Sequence, residues 1–361
     1  MTICIRNQAC AVGTQLGEGG EGEVFRLNAE YCVKVFSDDF RTEEREAKVR
    51  RLAEVFSSYP SDRVAYPLDL AYMEDKSWSG YTMTAIGDAV PLKNILYSHD
   101  DGLIRDRGRG GTQAFTITEA VKLCIESFAI VEGLHGLKMV VGDLNDGNIL
   151  VTTNPLRVVF IDVDSFQLEG EPCQVVMEEF LDPYLKARSK TLSGKYFFTP
   201  QSDIYALGLI WFKVLFGIDP YSGPCMINGR PAMQHERRMA GVTPPRNWSD
   251  RRKRRPQSAT PIGDDARVAE RAEILSRQFP ELMTFFDDLF VEGARKSLIH
   301  YYHSKHSWQQ CIRPVIHPFV NAQTGRKVHF SGAPYRDLTA SSDPTILERF
   351  LEQYGLNLQF S

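Results

Sequence analysis

Apolar and polar positions follow a short, strand-like period over residues 8–36 and a helical one after that. The first stretch reads as three short strands, broken by the glycines between 17 and 22 and by the turn at Asn28-Ala29-Glu30. From Arg41 to Phe56 the spacing is helical, with Val49, Leu52, Ala53 and Phe56 on one face. Tyr66–Tyr72 and Trp78–Ile86 are strand-like again, so residues 1–86 are expected to hold five strands and one helix. Residues 98–114 are polar and rich in glycine, the composition of an exposed loop. A long amphipathic helix follows, with Thr118 as its cap, Val121, Ile125, Phe128 and Leu134 near its buried face, and an end at His135-Gly136. A further helix, Asp203–Phe216, begins at Ser202 and is almost wholly apolar, which predicts burial on all sides. Helical spacing resumes at 265–289, at 294–312 and at Pro344–Tyr354.

Composition narrows the setting. A chain of 361 residues can bury a full core and hold two lobes. Its net charge of −4 carries no general polyanion-binding signature. Seven scattered cysteines without C-x-x-C spacing argue against a disulfide framework or a zinc site and for a reducing, cytoplasmic setting. The first residues lack a basic stretch followed by a long apolar one, and Ile204–Ile218 is interrupted by Lys213 and too short to span a bilayer. No membrane partner is therefore expected. Residues 222–265 are rich in Pro, Gly and Arg and carry the run Arg251-Arg252-Lys253-Arg254-Arg255. Without interleaved aromatics the run reads first as a solvated loop, with nucleic acid left open as a partner.

The chemistry lies in a series of motifs. Gly17-Glu18-Gly19-Gly20-Glu21-Gly22-Glu23-Val24 fits G-x-G-x-x-G-x-V at every position, and such a turn lets backbone approach phosphates without Cβ collisions. Lys34 follows in the β-branched run Tyr31–Phe36, where a stiff strand can hold its point charge beside the same phosphates. Asp143 and Asn148 stand five residues apart in Val-Val-Gly-Asp-Leu-Asn-Asp-Gly-Asn-Ile-Leu, and Asp162 ends the apolar run Val-Val-Phe-Ile. The Asn148 amide oxygen and the Asp162 carboxylate are hard donors suited to Mg²⁺, with Mn²⁺ as an alternative ion. Asp143 is then the free carboxylate that orients an attacking hydroxyl and accepts its proton.

In this order, the motifs resemble those of protein kinases, most closely an atypical bacterial serine/threonine group with Gly-Asp-Leu-x-x-x-Asn, Asp-Val-Asp and Thr-Pro-Gln-Ser-Asp. The resemblance covers residues 12–310 and is strongest at 13–36, 138–166 and 199–217. It implies an α+β, bilobal protein-kinase-like fold. A five-stranded antiparallel N-lobe would span 1–86, a mainly helical C-lobe 87–312, and a C-terminal extension 313–361. It also implies an ATP- and Mg²⁺-dependent serine/threonine protein kinase whose partners are ATP and a protein substrate. Glu46 becomes the candidate partner of Lys34, with Glu43 and Glu44 as competitors. Met83 would back the adenine pocket, Thr84–Gly87, including Ala85, would offer backbone groups to the base, and Val24, Leu150 and Ile161 would line it. Asp203 would tie down the catalytic-loop backbone.

Several positions depart from the family's pattern. Val141-Gly142 replaces His-Arg before Asp143, and no Ser, Thr or Tyr occurs between Phe166 and Pro183, so activity is not expected to wait on phosphorylation of that segment. Asn145 stands where a lysine is usual, Asp164 where the metal motif carries glycine, and Tyr184 where a carboxylate is usual. The asparagine-rich loop also resembles that of aminoglycoside and choline kinases. A small-molecule phosphotransferase and a non-catalytic nucleotide-binding scaffold therefore stand as alternatives.

Overall fold

The computed structural model describes residues 1–96, 115–183, 196–222, 229–240 and 266–278, together with 185, 226, 227, 285, 286, 289 and 290. The expectations for 98–114, Tyr184, the 251–255 run, 294–312 and 344–354 lie outside the described residues. Those described form two compact units, one of Met1–Val90 and Asn148–Phe166, the other of Pro91–Gly147 and the described residues from Gln167 on.

The first unit is built on strands β1 (Thr2–Ile5), β2 (Gln8–Ala11), β3 (Gln15–Gly19), β4 (Gly22–Arg26), β5 (Tyr31–Phe36), β6 (Asp69–Tyr72) and β7 (Trp78–Thr84). They pair antiparallel in the order β2-β1-β6-β7-β5-β4-β3. Seven strands thus replace the five expected. Residues 8–36 hold four rather than three, and Thr2–Ile5 adds another. The β1–β2 turn is Arg6-Asn7, both with positive φ (48° and 64°), the geometry of a tight two-residue hairpin. Without glycine or proline there, the sequence gives little sign of it.

Helix α1 (Glu43–Ser58) is capped by Thr42, whose hydroxyl accepts the Arg45 N–H at 3.2 Å. Its buried residues are Val49, Leu52 and Phe56, with Ala53 half-buried. Alternation along β5 separates two apolar clusters. Cys32 and Phe36 join Val49, Trp78, Tyr81 and Met83, whereas Val33 and Val35 join Ile3 and Ala71. Lys34, on the parity of Cys32 and Phe36, faces the first cluster, with its ammonium 5.0 Å from the Phe36 ring centre. Strands β8 (Ala89–Pro91), β9 (Ile149–Thr153) and β10 (Leu156–Phe160) form a second sheet in the order β10-β9-β8.

The second unit is mainly helical: α2 (Leu92–Leu96), α3 (Ile117–Gly136), α4 (Pro200–Phe216), α5 (Gln234–Ala240) and α6 (Ala266–Gln278). Helix α3 begins earlier than expected, because Thr116 rather than Thr118 caps it. The Thr116 hydroxyl accepts the Glu119 N–H at 3.2 Å, and the Glu119 carboxylate accepts the Thr116 N–H at 2.9 Å. Its deepest side is Leu123, Cys124, Ser127, Ile130, Val131 and Leu134, while Val121, Ile125 and Phe128 are half-buried. Helix α4 starts at Pro200 behind the cap Thr199, and every residue but Gln201 is buried, as its composition predicts. Even Lys213 is buried, 3.5 Å from Asp146 Oδ2 and 4.4 Å from the Phe180 ring centre. Among the described residues no helix is long and apolar enough to cross a membrane.

Candidate functional site

In the first unit the glycine motif forms the β3–β4 hairpin, with Gly19 paired to Gly22 and Gly17 to Val24. The glycines serve two ends. A Cβ at Gly17 or Gly20 would meet nothing within 4 Å, whereas at Gly22 it would lie 2.2 Å from the Val35 carbonyl oxygen. All of β3, including Gly17, Glu18 and Gly19, is exposed. The outer side of the turn therefore has room for a phosphate, while Gly22 is held to its identity by packing against β5.

Lys34 lies on β5, in register with Val24 of the hairpin on one side and Tyr81 of β7 on the other. Its ammonium donates to Asp162 and, at 2.8 Å, to Asp164 Oδ1. Asp162 follows β10 in a left-handed conformation (φ 62°, ψ 40°) and opens a short 3₁₀ turn, Val163–Ser165. That backbone is uncommon for a residue other than glycine, and aspartate is among the few side chains that adopt it readily. The Tyr81 hydroxyl donates to the same Asp164 oxygen at 2.7 Å.

The expected Lys34–Glu46 pair is not formed. Glu46 instead accepts from Arg50 at 2.9 Å and from the Tyr72 hydroxyl at 3.0 Å. The preceding residue, Arg45, takes the inward position on α1. It donates to both oxygens of Glu21 in the glycine turn, at 2.7 and 2.8 Å, and stacks 5.0 Å from the Phe36 ring centre. The periodicity of α1 left both open, because Arg45 and Glu46 stand four and three residues before Val49 and so both border the buried face.

Electrostatics follows from this crowding. Burial would lower the Lys34 pKa, but Asp164 and Asp162 outweigh it and hold the ammonium above its ordinary value. Burial would raise the Asp164 carboxyl, yet Lys34, Tyr81 and Arg45 keep it below the usual range. Asp162 goes the other way. Burial pushes it up, the nearby Asp164 and Glu21 charges add to this, and Lys34 offsets only part. A cation beside Asp162 would stabilise the ionised carboxylate that burial disfavours. Among the described residues no three His, Cys, Asp or Glu side chains form a ready-made metal cage. Mg²⁺ needs none, since it keeps waters and substrate oxygens around one or two protein ligands. Asp162, whose side chain is 31% exposed, and the half-buried Asn148 fit that requirement.

The remaining nucleotide-site candidates belong to the sheets. Met83 is buried in the cluster with Cys32 and Tyr81, against which Val24, Ala85 and Ile161 pack. Leu150 lies in β9, paired with Val159 of β10. The Ala85 N–H donates to the Glu30 carbonyl at 2.8 Å. Gly80, absent from the sequence-based candidates, sits in β7 where a Cβ would fall 1.8 Å from the Lys34 carbonyl oxygen. It permits the close approach of β7 to the lysine strand.

In the second unit Asp143 is buried, and both carboxylate oxygens are engaged. Oδ1 accepts the Met177 N–H at 2.8 Å and Oδ2 accepts the Asn145 amide at 3.2 Å. Asn145 also receives the Gly147 N–H at 2.9 Å, so it braces the turn of the loop. Asp203, at the start of α4, accepts the Val141 and Gly142 N–H groups at 2.8 and 2.9 Å, which is the backbone tie expected of it. Gly142 has φ 73°, and a Cβ there would lie 2.8 Å from that of Cys173. His135 Nε2 donates to Asp203 Oδ2 at 2.8 Å, a partnership that sequence spacing did not reveal.

No family model matches the chain. It is similar to the protein kinase YegI of Escherichia coli O157:H7, 29% identical over 227 residues, which are 60% of this chain and 33% of that protein. It is also similar to the probable serine/threonine-protein kinase CPE1738 of Clostridium perfringens, 22% identical over 249 residues, 64% of this chain and 32% of the relative. The chain thus spans about a third of the length of these curated relatives. A double mutant of the Mycobacterium tuberculosis PknI kinase domain aligns with a TM-score of 0.44 and 16% identity, covering 60% of this chain and 78% of that domain. The sequence likenesses mark the chain as bacterial protein-kinase-like.

Proposed function

We propose that this protein-kinase-like chain is an ATP- and Mg²⁺-dependent phosphotransferase acting on serine or threonine hydroxyls of a protein substrate. The observation that carries the reading is the meeting of three distant segments in one unit. Lys34 lies on the strand beside the glycine hairpin and is bonded to Asp162. A lysine and a carboxylate placed next to an open, glycine-lined turn suit a nucleotide's phosphates and their metal ion better than a structural ion pair alone.

In this reading Gly17, Gly19 and Gly20 leave backbone room over the phosphates, and Lys34 supplies a positive charge to them. Bound Mg²⁺ would neutralise charge developing on the transferred phosphoryl group, held by Asp162 and Asn148. Asp143 accepts the proton of the substrate hydroxyl, its carboxylate fixed by Met177 and Asn145. Positioning and electrostatic stabilisation supply the rate.

The test is incubation with γ-labelled ATP, Mg²⁺ and generic acceptor proteins. Label is expected in protein with the wild type, and at least about 10³-fold less with Asp143→Ala, while nucleotide binding is retained. Label appearing only on small hydroxyl compounds would replace protein kinase with small-molecule phosphotransferase. Nucleotide binding without any turnover would leave a scaffold.

A further inference from the structure

We infer that Asp164, and not a glutamate of α1, is the positioning residue that holds Lys34 for nucleotide phosphates. The inference deepens the phosphotransferase reading and rests on it. Asp164 Oδ1 receives two donors, Lys34 Nζ at 2.8 Å and the Tyr81 hydroxyl at 2.7 Å. These donors are cross-strand partners on β5 and β7, so one carboxylate oxygen pins the pair from a single point. The Asp164 side chain is only 1% exposed, against 31% for Asp162. Asp162 is thus the carboxylate with access to an incoming ion, while Asp164 is committed to the protein interior.

The glutamates that open α1 are not the anchor: Glu43 and Glu44 are exposed, and Glu46 bonds to Arg50 and Tyr72. Where a carboxylate from α1 was expected to face Lys34, the helix sends in Arg45, whose Nη1 lies 3.9 Å from Asp164 Oδ2. Two cations side by side would repel in a buried site. Asp164 lies against both, and Glu21 takes the other face of Arg45. Glu46, turned to Arg50 and Tyr72, contributes nothing to this balance. A lysine carries three donor hydrogens, so Lys34 can keep its bond to Asp164 while turning another toward a phosphate. Because Asp164 lies in the 3₁₀ turn that Asp162 opens, lysine anchor and metal ligand are two residues apart, and the register of phosphate charge and metal is set there.

The experiment measures affinity for Mg²⁺ with a non-hydrolysable ATP analogue, and separately for adenosine, in the full chain. The variants are Asp164→Asn, Lys34→Met, their double mutant and Glu46→Gln. Asp164→Asn is expected to weaken analogue binding about tenfold, as loss of one charge-assisted bond implies, and to leave adenosine affinity within about twofold. The double mutant should bind the analogue no more weakly than Lys34→Met alone, since the two residues act as one unit. Unchanged analogue affinity, an equal loss for adenosine, additive losses, or a Glu46→Gln cost as large as that of Asp164→Asn would each overturn the inference. Should Asp164→Asn not fold, Tyr81→Phe removes one of the two donors and is read the same way, with a smaller phosphate-specific loss expected and no loss fatal. A wild type that binds the analogue but transfers no phosphate would remove the phosphotransferase reading and leave the Asp164 result standing.

Discussion

His135 donates to Asp203 across 2.8 Å with neither side chain exposed to solvent. The same carboxylate receives the Val141 and Gly142 amides, so one buried acid sets the end of α3, the start of α4 and the approach to Asp143. Removing it would leave two amides and a histidine buried without their acceptor. Asp203→Ala is expected to destabilise the fold by about 3–5 kcal/mol, since three buried donors would lose an acceptor at roughly 1–3 kcal/mol each. Denaturant unfolding of wild type and variant checks this, and a loss below about 1 kcal/mol would mean the tie is weak.

The glycines of the first unit should divide sharply by substitution. Gly22→Ala and Gly80→Ala place a Cβ 2.2 and 1.8 Å from backbone oxygens of β5, which rigid strands cannot yield, whereas Gly20→Ala points into open space. The first two are expected to lose about 3 kcal/mol or more, and Gly20→Ala to stay within about 1 kcal/mol. Thermal melts of the three variants decide the matter. Equal behaviour would mean that β4 and β7 do not approach β5 as described.

Asp162 and Asp164 should respond oppositely to pH. The folded Asp162 pKa is raised, so its charged form is disfavoured in the fold, and that penalty fades as pH falls through the raised value. Asp162→Asn is therefore expected to stabilise the protein at neutral pH while weakening Mg·ATP binding. The folded Asp164 pKa is lowered, so its contribution is complete above the ordinary carboxylate value and is lost as pH falls below it. Asp164→Asn should accordingly be less stable than wild type at pH 7, with the gap closing in acid. Chemical denaturation across pH for both variants provides the comparison, and parallel curves would contradict it.

Asn145 holds the carboxylate expected to act as base, through a 3.2 Å bond to Asp143 Oδ2. Asn145→Ala should lower kcat about tenfold by loosening that carboxylate, with little change in nucleotide affinity. Steady-state kinetics beside a binding titration separates the two quantities. A loss confined to binding would place Asn145 on the nucleotide instead.

Local chemistry alone determined much of this protein. The glycine turn, the Lys34 strand, the buried α4 and the Asp143-to-Asn148 loop are legible because glycine tolerance, β-branching and apolar periodicity act within a few residues. The Asp203 tie came from the resemblance to kinases, and the bonds to Val141 and Gly142 bear it out. Three-dimensional packing decided the rest. Arg45 turned inward and Glu46 out although both border the buried face of α1, four and three residues before Val49, and periodicity does not say which flank meets Lys34. Asp164 became the partner of Lys34 and Tyr81 because β5, β7 and the turn after β10 converge, across separations of 130 and 83 residues. The β1–β2 hairpin went unseen because Arg6-Asn7 adopts left-handed backbone without glycine. Spacing along a chain records which side chains share a face. Which opposite charge a buried ammonium meets depends on elements packed from elsewhere, and that is settled only when the whole unit closes around it.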